Sequence, residues 1–165
     1  MWVHSQIRRW TWFLIVGLVL SGLTAIPIQS DVALGRALLG EDMSLGGRLP
    51  LHVVDWLRSL DEGIALTSSR APFMFYGTDW LAFGHLMIAL VFLGALADPV
   101  RNRWVYRFGM IASLLVPVWA AVFGHLRGIP IWWRVVDASF GVFAFFPSWL
   151  CHRWTAELER SEGAR

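Results

Sequence analysis

From Trp10 to Ile28 the chain runs without one charged side chain, and no other feature constrains its fold as strongly. Nineteen helical residues at ~1.5 Å each reach about 28 Å, close to the hydrocarbon thickness of a bilayer. Three further apolar runs follow, at 79–97, 106–125 and 131–150. Of the 165 residues 56% are hydrophobic, eleven are Trp, and the mean hydropathy is +0.54. A soluble domain of this size has too small an interior for that excess, so the surplus apolar surface has to meet lipid. The expected fold is an all-α membrane protein. Four transmembrane helices form a bundle in a single transmembrane domain over 1–165, with spans at about 10–28, 79–97, 106–125 and 131–150.

The charge pattern excludes other classes. The net charge is +2, with acids and bases spread along the chain, so no basic patch of the kind nucleic acid requires is present. All fourteen basic residues are Arg, a usage associated with GC-rich bacterial genomes. The lone Cys151 can form no internal disulfide and has no CxxC partner for thiol–disulfide chemistry.

Arg8 and Arg9 before the first span resemble the start of a signal peptide. The run is long for one, however, Leu23 occupies the −3 position of the best candidate cleavage site after Ala25, and Pro27 follows closely. Nothing after Arg9 continues a twin-arginine signal, and the expectation is an uncleaved span. Residues 29–78 are too polar to cross: Asp31, Glu41, Asp42, Asp55, Asp61 and Glu62 alternate with Arg36, Arg48, Arg58 and Arg70. In this outer loop Ser30 is a candidate cap for a short helix. Pro50 suits the first turn of another, whose Val53, Trp56, Leu57, Leu60 and Ile64 recur at helical spacing. Such an amphipathic helix would lie on the membrane surface or over the bundle.

The linkers between the later spans are short. Asp98, Pro99, Arg101, Asn102 and Arg103 form one turn; Arg127, Gly128 and Pro130 form the opposite one. Counting Arg8, Arg9, Arg101, Arg103, Arg107 and Arg153 as inside places both termini in the cytoplasm of a bacterial inner membrane. Trp2, Trp10, Trp12, Trp104, Trp149 and Trp154 then mark the inner interface and Trp80, Trp132 and Trp133 the outer one. No internal repeat is visible, which disfavours a transporter built on repeats.

Lipid does not drive helices together, so interfaces need small residues three or four apart. They occur at Gly17, Ser21 and Ala25, at Ala82 and Ala89, and at Gly109, Ser113, Ala120 and Gly124. In the fourth span Pro130, Arg134, Asp137, Gly141, Ala144, Ser148 and Cys151 share one stripe, opposite Ile131, Val135, Val142, Phe146 and Trp149. Only thirteen uncharged residues follow Asp137 up to and including Leu150, too few to cross, so Arg134 and Asp137 enter the membrane with the helix. They are expected to need a partner, and an intramembrane salt bridge between them at i and i+3 is one solution.

The candidate polar cluster is therefore Asp79, His85, Arg127, Arg134 and Asp137, supported by Tyr76, Trp80, His125 and Ser139. It reads either as a site for an anionic or quinone-like ligand, a proton path or a haem, or as a structural ion-pair cluster that fixes helix register. For His85, a hydrogen bond to Asp137 or to a backbone carbonyl is preferred over metal ligation. No HExxH, GxSxG, P-loop or dinucleotide motif occurs, so neither a catalytic residue nor a metal site is assigned.

The segments SGLTAIPIQ, FMFYGTDWLAFGHLMIAL, ADPVRN, HLRGIP and VDASFGVFAFFP together resemble a family of small bacterial four-helix membrane proteins with no assigned biochemical function. The resemblance covers about Arg9 to Pro147. It implies importance for Tyr76, Gly77, Asp79, Trp80 and His85, for Asp98 and Pro99, for Arg127, Gly128 and Pro130, and for Asp137, Ser139 and Gly141. The family pattern has Gly-Pro where this chain has Gly124 and His125, so it implies no ligand role for His125.

The leading expectation is a non-catalytic inner-membrane protein that binds a ligand or serves as a subunit of a larger complex, respiratory or photosynthetic. Its partners would be the lipid bilayer and other membrane proteins or copies of itself. The alternatives are a quinone- or haem-handling redox protein using His85 and Asp137, and a small proton-coupled carrier.

Overall fold

A computed structural model describes residues 2–163, and the regular elements among them are all helices: α1 (Trp2–Ala25), α2 (Ile28–Leu39), α3 (Leu51–Arg70), α4 (Tyr76–Ala97), α5 (Arg103–Leu126) and α6 (Ile131–Gly163), with a 3-10 turn at Pro72–Phe75. The helix ends follow from local chemistry. A residue before proline is pushed out of the α region, so α1 stops at Ala25 ahead of Ile26-Pro27 and α4 at Ala97 ahead of Asp98-Pro99. After α5 the Gly128 backbone has φ +68°, its amide bonds to the His125 carbonyl, and the Ile129 amide bonds to the Gly124 carbonyl. This paired arrangement closes a helix through a left-handed glycine, and Pro130 then starts α6.

Helices α1, α4, α5 and α6 are long and apolar enough to cross a membrane, with candidate spans Trp2–Ala25, Pro72–Ala97, Arg103–Leu126 and Ile131–Ser161. The four-span expectation holds, with changed boundaries. Helix α1 begins eight residues before Trp10 and ends at Ala25, and α6 continues through Leu150 to Gly163. At ~1.5 Å per residue its 33 residues extend about 50 Å, well beyond one hydrocarbon core. The loop at 29–78 holds two helices. Ser30 does not cap the first of them: α2 starts at Ile28 behind Pro27, and no side-chain cap is made. Pro50 does stand immediately before α3, with Val54 buried and Asp55, Arg58 and Glu62 exposed.

The chain divides into two compact units, one made of the stretch up to Val19 with the stretch from Met87 onward, the other of Leu20–Leu86. In the first, all four spans contribute to one core. Ile7, Leu14 and Ile15 come from α1, Ala89, Phe92 and Ala95 from α4, Val105 and Tyr106 from α5, and Cys151 from α6. Helices α5 and α6 run antiparallel with small residues at each contact. Gly109 faces Ser148, Gly141 faces Ser113 and Pro117, and Gly124 faces Arg134. The outward sides carry Leu114, Leu115, Val118, Trp119, Val135, Val142 and Phe143, each more than half exposed. Apolar surface on this scale is foreign to a water-soluble monomer and ordinary against lipid.

In the second unit, Gly22 of α1 lies against the Ala82 carbonyl and the His85 side chain of α4. The close approach of α1 is thus made at Gly22, whereas Gly17 and Ser21, expected from the sequence to form that face, are exposed. Helices α2 and α3 are joined by an ion pair between Arg36 and Asp61, and Arg58 of α3 donates to the Asp42 carbonyl in the segment between them.

Candidate functional site

The residues singled out from sequence fall into the two units. In the second, Tyr76, Asp79 and Trp80 stand in the first turns of α4, all exposed. Tyr76 and Trp80 meet edge to face at 5.9 Å, Trp80 and Phe83 at 5.5 Å, and these side chains with Asp79 line a shallow recess of about 240 Å³. His85, two turns below Asp79, is half-buried, and its Nδ1 lies 2.8 Å from the Leu81 carbonyl. A carbonyl only accepts, so Nδ1 carries the proton and Nε2 of the neutral ring is left as an acceptor.

In the first unit, the chain ends of the α5–α6 hairpin hold His125, Arg127, Arg134, Asp137 and Ser139. His125 and Arg127 are exposed at the turn. Arg134 is half-buried, with its aliphatic stem laid across Gly124: a Cβ there would stand 2.3 Å from Arg134 Cδ. One guanidinium nitrogen reaches the Ala121 carbonyl at 3.4 Å, near the limit of a useful hydrogen bond, while Nε is closed off from solvent with no acceptor. The Trp132 indole N–H is likewise buried without an acceptor. Ser139 donates to the Val136 carbonyl at 2.6 Å within its own helix.

Asp137 is half-buried, and among the described residues it makes neither hydrogen bond nor ion pair. The expected salt bridge with Arg134 is therefore absent. The described ion pairs are Arg36 with Asp61 and Arg103 with Glu159. The reason is the stem packing: Arg134 is drawn towards α5 over Gly124, and its guanidinium goes to an α5 carbonyl instead of along α6.

The buried polar side chains that tie the spans together lie elsewhere. The Thr11 and Tyr106 hydroxyls are 2.7 Å apart; Thr11 donates to the Ile7 carbonyl at 2.7 Å, and Tyr106 lies 3.4 Å from the Ala95 carbonyl. The Cys151 thiol completes the group, 3.9 Å from Thr11 Oγ1 and 3.7 Å from the Ile7 carbonyl. Thr11, Tyr106 and Cys151 are each fully buried. With one Thr hydrogen on Ile7, the Tyr106 phenol donates to Thr11, so each hydroxyl is satisfied. Sequence reasoning placed Cys151 on the packing stripe of the fourth span without a partner, and read Tyr106 only as a span boundary. The signal that would have found the group is polar side chains within three of the four spans, since in lipid a hydroxyl must find its partner on a neighbouring helix.

At the same end, Arg103 bridges α5 and α6: one terminal nitrogen bonds Glu159 at 2.8 Å and the other meets His152 Nε2 at 3.2 Å. Trp2 and Trp154 pack edge to face at 6.0 Å, and Arg153 lies 5.1 Å over the Trp149 ring. No group of three or more His, Cys, Asp or Glu side chains able to hold a metal comes together among the described residues. No protein-family model, curated protein or solved structure matches this chain. The chain is thus a multi-pass membrane protein by helix length and apolarity, with no family identified.

Proposed function

We propose that this is a non-catalytic bacterial inner-membrane protein that binds a ligand or serves as a subunit of a larger membrane assembly, with both termini cytoplasmic. It belongs with the small four-helix family that its FYGTDW, RGIP and DASFG segments resemble. The observation that carries the reading is Asp137, a half-buried carboxylate on a candidate span with no partner among the described residues. An ionised group at the bilayer centre costs something like 2.5–3.5 kcal/mol on insertion scales, and less nearer the interface, unless it is paired or wetted. On the same helix, Arg134 Nε and the Trp132 indole N–H are buried without acceptors. A ligand donor, or a polar side chain of a partner span, would satisfy Asp137. In the same unit Arg127, with His125 and Ser139 in support, is the remaining candidate for that contact; Asp79 and His85, with Tyr76 and Trp80, are a separate candidate in the other unit.

The test is purification from native membranes in a mild detergent, with bound proteins and small molecules identified by mass spectrometry. A stoichiometric companion is expected, lost on Asp137→Asn and kept on Gly17→Ala. If the purified chain instead turned over a substrate alone and Asp137→Asn abolished that turnover, the non-catalytic reading would fall.

A further inference from the structure

We propose that the cleft between α2 and α3 is a binding site for a small zwitterion of the α-amino acid class, with Arg36 taking the carboxylate and Glu41 the ammonium group. The cleft has a volume of about 350 Å³, within the range of small-molecule sites, and both its walls belong to one compact unit. Arg36 reaches across it to Asp61 with one terminal guanidinium nitrogen. The other terminal nitrogen and Nε donate to nothing among the described residues, and the side chain keeps 42% of its surface exposed. A second acceptor can therefore approach the same guanidinium from the cleft. Glu41 lines the cleft too; it is exposed and makes neither hydrogen bond nor ion pair among the described residues. The turn that carries it is held in place. Gly40 ends α2 at φ +90°, the Asp42 carboxylate accepts from the Ser44 hydroxyl and amide, and Arg58 of α3 donates to the Asp42 carbonyl. Both charged groups are thus accessible, incompletely paired and presented by fixed backbone, which lowers the cost of ordering them around a ligand.

Charge and wall chemistry select the class. One guanidinium and two carboxylates, those of Glu41 and Asp61, line the cleft. A simple anion would meet the excess of negative charge, and a simple cation would leave the open Arg36 N–H groups unused. A molecule that carries both charges on neighbouring atoms answers both with charge-assisted hydrogen bonds. Away from the charges the walls are apolar and mostly small, with Val32 and Ala33 on α2 and Ile64 and Ala65 on α3. Gln29, at the far end of the lining, stands seven residues from Arg36, about 10 Å along the helix, so one short aliphatic side chain fits beside the charged end. A phosphoethanolamine lipid headgroup also carries both charges, but it has no aliphatic branch next to them to meet these walls. The inference needs only the α2–α3 pair, and it stands or falls separately from the Asp137 reading.

The experiment is isothermal titration calorimetry of the full chain in detergent micelles with four probes: L-leucine, isoamylamine, which is leucine without its carboxylate, isocaproate, which is leucine without its ammonium group, and glycerophosphoethanolamine. Leucine should bind at least about tenfold more tightly than either half-molecule or the headgroup, the value of one charge-assisted hydrogen bond. Glu41→Gln should bring leucine down to the level of isocaproate; Glu41 has no partner to lose, so the packing of the hairpin is kept. Glu62→Gln removes the same charge from an exposed position outside the cleft and should leave leucine binding unchanged. Arg36→Lys leaves a cation opposite Asp61 but removes the guanidinium fork, and should weaken leucine while sparing isoamylamine. Absence of binding at millimolar leucine, isoamylamine or glycerophosphoethanolamine binding as tightly as leucine, or an equal loss on Glu62→Gln would each overturn the proposal.

Discussion

The tight backbone contact between α5 and α6 rests on a proline and a glycine acting together. Pro117 has no backbone N–H to give to the Ser113 carbonyl one turn back, so that oxygen is left facing α6. Gly141 comes up to it so closely that a Cβ would stand 2.5 Å from the carbonyl oxygen, with Pro117 and Val116 on either side. Because the obstacle is backbone, Gly141→Ala must push the helices apart. A loss of about 1–3 kcal/mol is expected, read as a lower denaturation midpoint in detergent. Gly124→Ala meets only the flexible Arg134 stem and should cost less, while Gly17→Ala, with nothing within 4 Å, should leave the midpoint unchanged. At the Thr11–Tyr106 hydroxyl pair, a double-mutant cycle of Thr11→Val with Tyr106→Phe should give a coupling of about 0.6 kcal/mol, the usual worth of a hydrogen bond between spans.

Among the elements, the segment between α2 and α3 is held by local polar chemistry. The Asp42 carboxylate accepts from the Ser44 hydroxyl at 2.6 Å and from the Ser44 backbone amide at 3.2 Å; Ser44 Oγ in turn accepts from the Gly47 amide. These bonds, the Ser44 hydroxyl foremost, hold the Asp42 carboxyl below its ordinary pKa. A lowered folded pKa stabilises the segment above the ordinary value near 4, and that contribution is lost as the pH falls through the folded value. Amide exchange at Ser44 and Gly47, measured from pH 6 downwards, should lose protection below about pH 4 in the native chain, and Asp42→Asn should remove the pH dependence. This segment was illegible in the sequence, because a polar loop of mixed charge gives no period. The stripe on α6 was legible for the opposite reason: Gly141, Ser148 and Cys151 are buried while Ile131, Val135, Val142 and Phe146 are exposed, as a two-faced helix in lipid requires. Depth also placed Arg134 correctly on the span, but not its partner. Spacing says which side chains can meet on one helix, and it was the glycine on the neighbouring helix that drew Arg134 away from Asp137.

For the whole molecule, the proposed cytoplasmic placement of both termini has a consequence that labelling reads directly. Arg8, Arg9, Arg101, Arg103, Arg107 and Arg153 stand near the Trp2 end of α1, the turn between α4 and α5, and the later part of α6, whereas α2 and α3 join the Ala25 end of α1 to the start of α4. With four spans, the proposed cytoplasmic placement of these arginines would put α2 and α3 outside and the later part of α6 inside. Two exposed serines suit reporters: Ser69 at the end of α3 and Ser161 at the end of α6. The native Cys151 is fully buried, so the folded chain should give little labelling of its own. In intact bacterial spheroplasts an impermeant maleimide should modify Ser69→Cys readily and reach Ser161→Cys only after lysis. Labelling of both from one side would mean an even number of crossings between them instead of three, and the reverse order would turn the chain over and place the Arg103–Arg107 cluster in the outer leaflet. Either result changes which lipids and which partners the two ends of the α5–α6 hairpin can meet.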